Sequence, residues 1–343
     1  GLSMALARLS RKPLAATTHG TTNAAKGYAI GISAAFVLSL TGIFIALASR
    51  RHGVPALVIA VWRDVFTCMA IGSALLVRAP RLLAVHRKDM GFLAVNGAIL
   101  AVFNIFWTLS VVKNGAAAAT LLVYSSGGFT VILERILRGE RIGPFKAAAI
   151  AASLLGAALV SGAFGGSGKA PDPIGIATGL ASGLAYAVYS LVGKGGARRG
   201  LSPWTSVCWS FGVAALLLLA LRALPAGLVP AQAIGKGELF MPGRPAEAWL
   251  ILVLLAAGPT ALGFGLYNLS LGYLPAGTAN LLASLEPVFT TVVAWSFLGE
   301  RLGISAAIGA ACTLGAVGLL WLADASTRKG DCPPASAVSA PRS

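Results

Sequence analysis

Ten apolar runs of about 20 residues each, parted by short polar or glycine- and proline-bearing breaks, constrain this chain more than any other feature. They cover residues 28–48, 55–77, 90–112, 115–137, 144–164, 174–193, 203–221, 248–274, 275–298 and 303–323. A bilayer core admits only structures that satisfy every backbone N–H and C=O internally, which leaves helices or closed barrels. Alternating strands of about ten residues are not found in these runs, so the expected fold is an all-α polytopic membrane protein with ten transmembrane helices. Composition agrees: 57% of residues are hydrophobic and 11% charged, against roughly 25% charged in soluble chains. The first run is too long for a signal-peptide core and is followed by more spans, so it is read as an uncleaved helix. Residues 1–25 are basic and turn-rich and residues 326–343 polar, and both are expected to be disordered.

The net charge of +16 comes from 27 Lys and Arg against 11 Asp and Glu. The basic residues sit in short loops rather than along one helix face, so they point to membrane orientation and not to nucleic acid. Counted by alternate loops, 18 fall on the side of both termini and 8 on the other, and Arg63, inside a span, completes the 27. Both termini are therefore expected in the cytoplasm of a bacterial-type inner membrane. Cys68, Cys208 and Cys312 fall in spans without a CxxC pattern, and His19, His52 and His86 lie outside the spans. No metal site or cofactor is expected, and an intramembrane enzyme lacks its usual His-bearing groupings.

The chain repeats itself. Shifted by 160 residues, 104–143 superimposes on 264–303 with 12 identities among 40 positions, among them Leu109/Leu269, Ser110/Ser270, Leu122/Leu282, Phe129/Phe289 and Thr130/Thr290. Apolar composition alone does not produce the Gly-Glu-Arg-x-Gly that closes both stretches, Gly139 to Gly143 and Gly299 to Gly303. Earlier in each half the shift is 148, pairing Gly27/Gly175, Gly31/Gly179, Arg50/Arg198, Arg51/Arg199 and Pro55/Pro203. The halves are then 26–165 and 166–325, each with five spans and joined through the Gly/Ser/Pro stretch 165–173. An odd number of spans returns the second half to the membrane upside down, an inverted repeat whose solute site lies near the midplane.

Two five-span halves closing their fourth spans with Gly-Glu-Arg, with Glu286-Pro287 before the second and Arg63 in the second span, resemble the EamA-type members of the drug/metabolite transporter superfamily. The first half departs from the pattern, carrying Ser125, Ser126, Gly127 and Gly128 where the proline is expected. The resemblance covers about residues 26–323 and implies export of a metabolite or amino acid.

Candidate site residues follow from cost and spacing. A charge at a span centre costs about 2.5–3.5 kcal/mol on insertion scales, so Arg63 and Glu286 are candidates for coupling, with Glu286 a carrier of protons, or else for a fixed ion pair. Polar groups share faces: Asn104, Trp107 and Thr108 on the third span, Tyr186, Tyr189 and Ser190 on the sixth, Asn268 on the eighth. On the ninth span Asn280 and Ser284 share a face, and Thr120 and Tyr124 are their equivalents on the fourth. Together they are expected to line an amphipathic cavity for a small organic solute. On one continuous helix Glu286 lies about 200° from Ser284, off that wall. Pro259 and Pro287 are the candidate hinges. Gly27/Gly31 and Gly175/Gly179/Gly183 are expected at close helix contacts. Glu140/Arg141 and Glu300/Arg301 are read as interfacial caps. The functional expectation is a secondary transporter exporting a small amphipathic metabolite by alternating access, with an amino acid as the leading guess and an aromatic one among the candidates. A channel-like facilitator or a structural membrane protein is the alternative. No Walker motif supports drive by ATP.

Overall fold

The computed structural model describes residues 21–123, 125–138, 143–160, 172–223, 238–241, 243, 245–283 and 285–298, with separate positions between 304 and 319. Among these residues every regular element is helical. In chain order they are α1 (Thr21–His52), α2 (Ala56–Arg78), α3 (Arg87–Asn114), α4 (Ala116–Val123), α5 (Ser126–Arg138), α6 (Pro144–Val160), α7 (Pro173–Arg198) and α8 (Pro203–Ala223). Then come α9 (Ala246–Leu255), a π-turn (Ala256–Thr260), α10 (Ala261–Tyr273), α11 (Ala276–Ala283) and α12 (Glu286–Leu298). Described positions between 304 and 319 are helical, and Ala316 packs on Ala149 of α6.

Among the described residues six stretches are long and apolar enough to cross a membrane: Ala25–His52, Ala56–Arg78, Arg87–Asn114, Pro173–Arg198, Pro203–Ala223 and Ala246–Tyr273. α1 begins at Thr21, so residues 21–25 are helical rather than disordered. Residues 1–20, most of the 165–173 linker, the tail, Tyr124, Ser284 and the Glu140/Arg141 and Glu300/Arg301 pairs lie outside the described residues.

The fourth and ninth runs differ from the continuous helices expected. Each is two helices, and the bounds of α4 and α5 recur 160 residues later in α11 and α12. The turn at Ser125 has its N–H on Leu122 O at 3.2 Å, and the turn at Leu285 has its N–H on Leu282 O at 3.1 Å. The two halves reach this geometry by different chemistry. Ser125 Oγ also donates to Leu122 O, at 2.7 Å, so the side chain and the N–H of one residue both hold the carbonyl at the end of α4. In the second half Pro287 occupies the first turn of α12, where its missing N–H costs nothing. Pro287 is thus a helix-start residue rather than a hinge within a span.

Pro259 does not break the eighth span; it widens it. Proline cannot donate to Leu255 O, and Thr260 Oγ1 takes that carbonyl at 2.7 Å instead. The register slips to a π-turn, and Ala256 O accepts from both the Ala261 N–H and Thr67 Oγ1 of α2, the latter at 3.4 Å.

Packing runs between the halves in matched pairs. α1 packs along α10, and α7 packs along α3. α4 and α5 lie on α7, while α11 and α12 lie on α1; α2 faces α8. The broken helices cross with α4 on α12 and α5 on α11, first part against second. The glycines explain the closeness of the long contacts. A Cβ at Gly31 would stand 2.7 Å from Leu282 Cδ1, and one at Gly179 would stand 2.7 Å from Leu122 Cβ. Leu282 and Leu122 are equivalent across the repeat, as are the two glycines. Ion pairs at the helix ends repeat the theme: Arg51 meets Glu247 at 3.3 Å and its counterpart Arg199 meets Asp89 at 3.1 Å.

Candidate functional site

Three spans from each half converge on one cavity. From the first half come Leu38 and Thr41 on α1, Phe103 and Trp107 on α3, and Val123 at the end of α4. From the second come Tyr186 on α7, Phe264 on α10 and Glu286, the first residue of α12. The cavity holds about 340 Å³ of space free of atoms, its mouth included. Phe103 is the hub of its aromatic wall. Its ring centroid lies 6.1 Å from that of Trp107, 5.2 Å from Tyr186 and 6.2 Å from Phe264. The walls are mostly apolar, so the polar atoms among them set orientation and selectivity. Trp107 Nε1 and Thr41 Oγ1 are buried and without hydrogen-bond partners, a costly state unless a solute or water completes them.

Glu286 lines this cavity, contrary to its expected position off the wall. The turn at Leu285 ends the helical count from the preceding segment, so an angle computed from Ser284 does not carry across it.

Behind Trp107 lies a buried charged cluster. Arg63 Nε is 3.6 Å from Asp64 Oδ1, and both residues are almost wholly enclosed. Asn104 Nδ2 donates to both Asp64 oxygens, at 2.7 and 2.8 Å. The Arg63 guanidinium lies over the Trp107 ring, 5.3 Å from its centroid. Yet Arg63 Nε and Nη2 and Asn104 Oδ1 make no hydrogen bond. The cluster is charge-compensated and short of partners, which is costly to bury.

A second polar cluster sits in the other half and is complete. Tyr267 Oη donates to Asn280 Oδ1 at 2.5 Å, and Ser190 Oγ lies 2.6 Å from Tyr267 Oη and 2.9 Å from Asn280 Oδ1. Asn280 Nδ2 donates to Thr130 Oγ1 at 2.6 Å, tying α11 to α5 across the halves. Nearby, Asn268 Nδ2 donates to Tyr189 Oη at 3.0 Å and to Phe264 O at 2.9 Å.

The structure therefore divides the candidate residues. Trp107, Tyr186 and Glu286 line the cavity. Asn104 and Arg63 form the charged cluster behind it. Asn280 belongs to the neutral network, and Tyr189 and Asn268 to the bond beside it. Tyr124 and Ser284 fall outside the described residues.

Leu38, Thr41, Phe103, Val123 and Phe264 were not singled out by polarity or cost. The repeat holds the missing signal for three of them. At a shift of 148, Leu38 and Thr41 are the counterparts of Tyr186 and Tyr189; at 160, Phe264 is the counterpart of Asn104.

Regular elements that are all helical and six membrane-length apolar stretches among the described residues, with a cavity formed from both halves, give the form of a membrane transporter. This chain belongs to the EamA-like transporter family, whose model matches it twice, over residues 25–162 and 173–322. It is 29% identical over 226 residues to an uncharacterized transporter of Archaeoglobus fulgidus, covering 65% of this chain and 74% of that protein. An uncharacterized transporter of Clostridium kluyveri is 25% identical over 236 residues, covering 65% and 69%. An uncharacterized protein of Pseudomonas aeruginosa is 30% identical over 233 residues, covering 65% and 71%. A crystal structure that is 21% identical superimposes with a TM-score of 0.65 over 88% of this chain and 99% of its own, a likeness of fold.

Proposed function

We propose that the protein is a secondary transporter that exports a small amphipathic metabolite, with an amino acid as the leading class, by alternating access. Its halves, 26–165 and 166–325, act as inverted five-helix copies in a bacterial-type cytoplasmic membrane, with both termini inside and protons as the candidate coupling ion. The observation that carries this reading is the cavity's lining, three spans from each half around one space. Only a site on the axis between two inverted halves is touched by both, and rocking one half against the other then exposes it to each side in turn. The crossing of α4 on α12 and of α5 on α11, and the matched ion pairs at Arg51 and Arg199, support inversion.

The test is uptake and efflux by purified protein in liposomes, screened over amino acids and other metabolites with and without a pH gradient. Saturable movement of one class in both directions supports the reading. Conductance without saturation instead indicates a channel, and no movement of any solute overturns transport. Orientation is read separately by labelling Cys332 in intact cells, where external labelling reverses the assignment.

A further inference from the structure

Two free thiols meet where α2 of the first half crosses α8 of the second. α2 carries Cys68-x-x-x-Gly72 and α8 carries Cys208-x-x-x-Gly212, so each helix presents a cysteine and a glycine on one face. A Cβ at Gly212 would stand 3.2 Å from Cys68 Sγ, and one at Gly72 would stand 3.7 Å from Cys208 Sγ. The helices therefore cross antiparallel, with each thiol seated in the notch left by the other helix's glycine. Cys208 Sγ lies 3.8 Å from Cys68 O on the opposite backbone, and the two side chains hydrogen-bond to each other. Resting on the two-half transport reading, we propose that Cys68 and Cys208 form an oxidisable dithiol. A lipid-soluble quinone converts it to a disulfide that ties the halves together and arrests transport.

Depth and exposure select that class of oxidant. Cys68 sits near the middle of α2, roughly 15 Å from either end at 1.5 Å per residue. Cys208 is 5% exposed, whereas Cys68 is half-buried and the neighbouring Met69 is 61% exposed. The pair thus opens to the outside of the bundle at a depth that lipid fills. Exchange with a water-borne disulfide needs a thiolate, which apolar surroundings disfavour. A quinone dissolves in lipid and takes up hydrogen at its carbonyl oxygens. Both S–H bonds break and one S–S bond forms, while two electrons and two protons pass to the quinone and make a hydroquinone. Neither thiol lines the cavity, so the bond leaves the solute's contacts intact and acts on the movement of one half against the other.

The test treats the full-length protein in liposomes with decylubiquinone, whose fully substituted ring leaves a thiol no carbon to add to. The intact mass should fall by about 2 Da, the two hydrogens lost on oxidation. Free thiols should drop from the four of the sequence by the two that are joined, and a peptide linking Cys68 to Cys208 should appear that dithiothreitol releases. Cys68→Ala and Cys208→Ala should each abolish the bridge, while Cys312→Ala keeps it. Saturable solute movement should stop on bridging and return with dithiothreitol, and Cys68→Ala should move solute with or without the quinone. Mass and linked peptide are read on the unaltered protein, so they decide the bridge even if a variant fails to fold. No bridge, a bridge through Cys312 or Cys332, or bridged protein that moves solute at the reduced protein's rate overturns the proposal. In the last case the transport reading stands. A bridge in protein that moves no solute even when reduced overturns the transport reading and the arrest with it, and leaves the dithiol site in place.

Discussion

The two halves share a backbone plan and differ in the chemistry hung on it. In the second half Ser190, Tyr267 and Asn280 form a closed hydrogen-bonded network. Their counterparts in the first half are Gly42, Trp107 and Thr120. These lie in the matching place, since a Cβ at Gly42 would sit 3.6 Å from Thr120 Oγ1, but Trp107 Nε1 and Thr120 Oγ1 have no partner. The charged cluster is equally one-sided, because Arg63 and Asp64 correspond to Phe211 and Gly212. A satisfied buried network rigidifies, whereas buried polar groups short of partners carry a desolvation cost that a bound solute or water relieves. The packing is thus repeated between the halves, while the pairing of buried polar groups is not.

Four experiments probe this contrast, from the largest effect to the smallest. Asp64→Leu leaves Arg63 buried without its carboxylate and should destabilise the protein by about 3–5 kcal/mol. Thermal unfolding in detergent reads this, and replacing Arg63 and Asp64 together by Met and Leu should restore most of the stability. If the single variant unfolds like the unaltered protein, the cluster is not electrostatically coupled.

Asn280→Ala opens the complete network, removing the acceptor that Tyr267 and Ser190 share and the donor to Thr130 Oγ1, at about 1–3 kcal/mol. Thr120→Val at the equivalent position removes a hydroxyl that bonds to nothing and should be neutral or slightly stabilising. Equal losses in the two variants, measured by the same unfolding experiment, would erase the distinction between the halves.

The counterparts Thr41 and Tyr189 sharpen it further. Tyr189→Phe removes one of the two acceptors of Asn268 Nδ2 and should cost about 0.5–1.5 kcal/mol of stability. Thr41→Val should leave the unfolding temperature unchanged and alter solute affinity in a binding titration instead. A stability loss in Thr41→Val would mean that its hydroxyl supports the fold.

The smallest effect lies at the start of α7. Burial alone would raise the Asp172 carboxyl, but the Ile174 and Gly175 N–H groups and Lys113, at 3.2 Å, hold it below the usual carboxylate value. A depressed folded pKa contributes stability above the unfolded value of about 4 and loses it as pH falls through the folded one. Unfolding temperature should therefore drop on acidification below about pH 4, and Asp172→Asn should flatten that part of the profile. An unchanged profile in the variant would mean that other carboxylates set it.

Long uninterrupted apolar runs dictate helices because the other structure that satisfies a backbone in lipid, a closed barrel, needs short alternating strands, and the repeated Gly-Glu-Arg endings disclose two copies whatever the packing. The cost of burying charge made Arg63 and Glu286 stand out, since polarity is visible residue by residue. The aromatic wall was less legible: Phe103 and Phe264 look like any core residue until tertiary contacts place them around an opening. Serine breaks α4 from α5 as proline starts α12, and no single residue type announces both.

What the amino-acid order determined was therefore the solvent of this protein, its helical class and its doubling, all consequences of local hydropathy and self-similarity. What only the tertiary structure decided was which polar groups find partners. That depends on side chains brought together from distant spans, such as Asn280 with Thr130 or Asn104 with Asp64. The turn at Leu285 gives the clearest case: it ended the helical phase on which Glu286 was placed and set that carboxylate at the cavity wall.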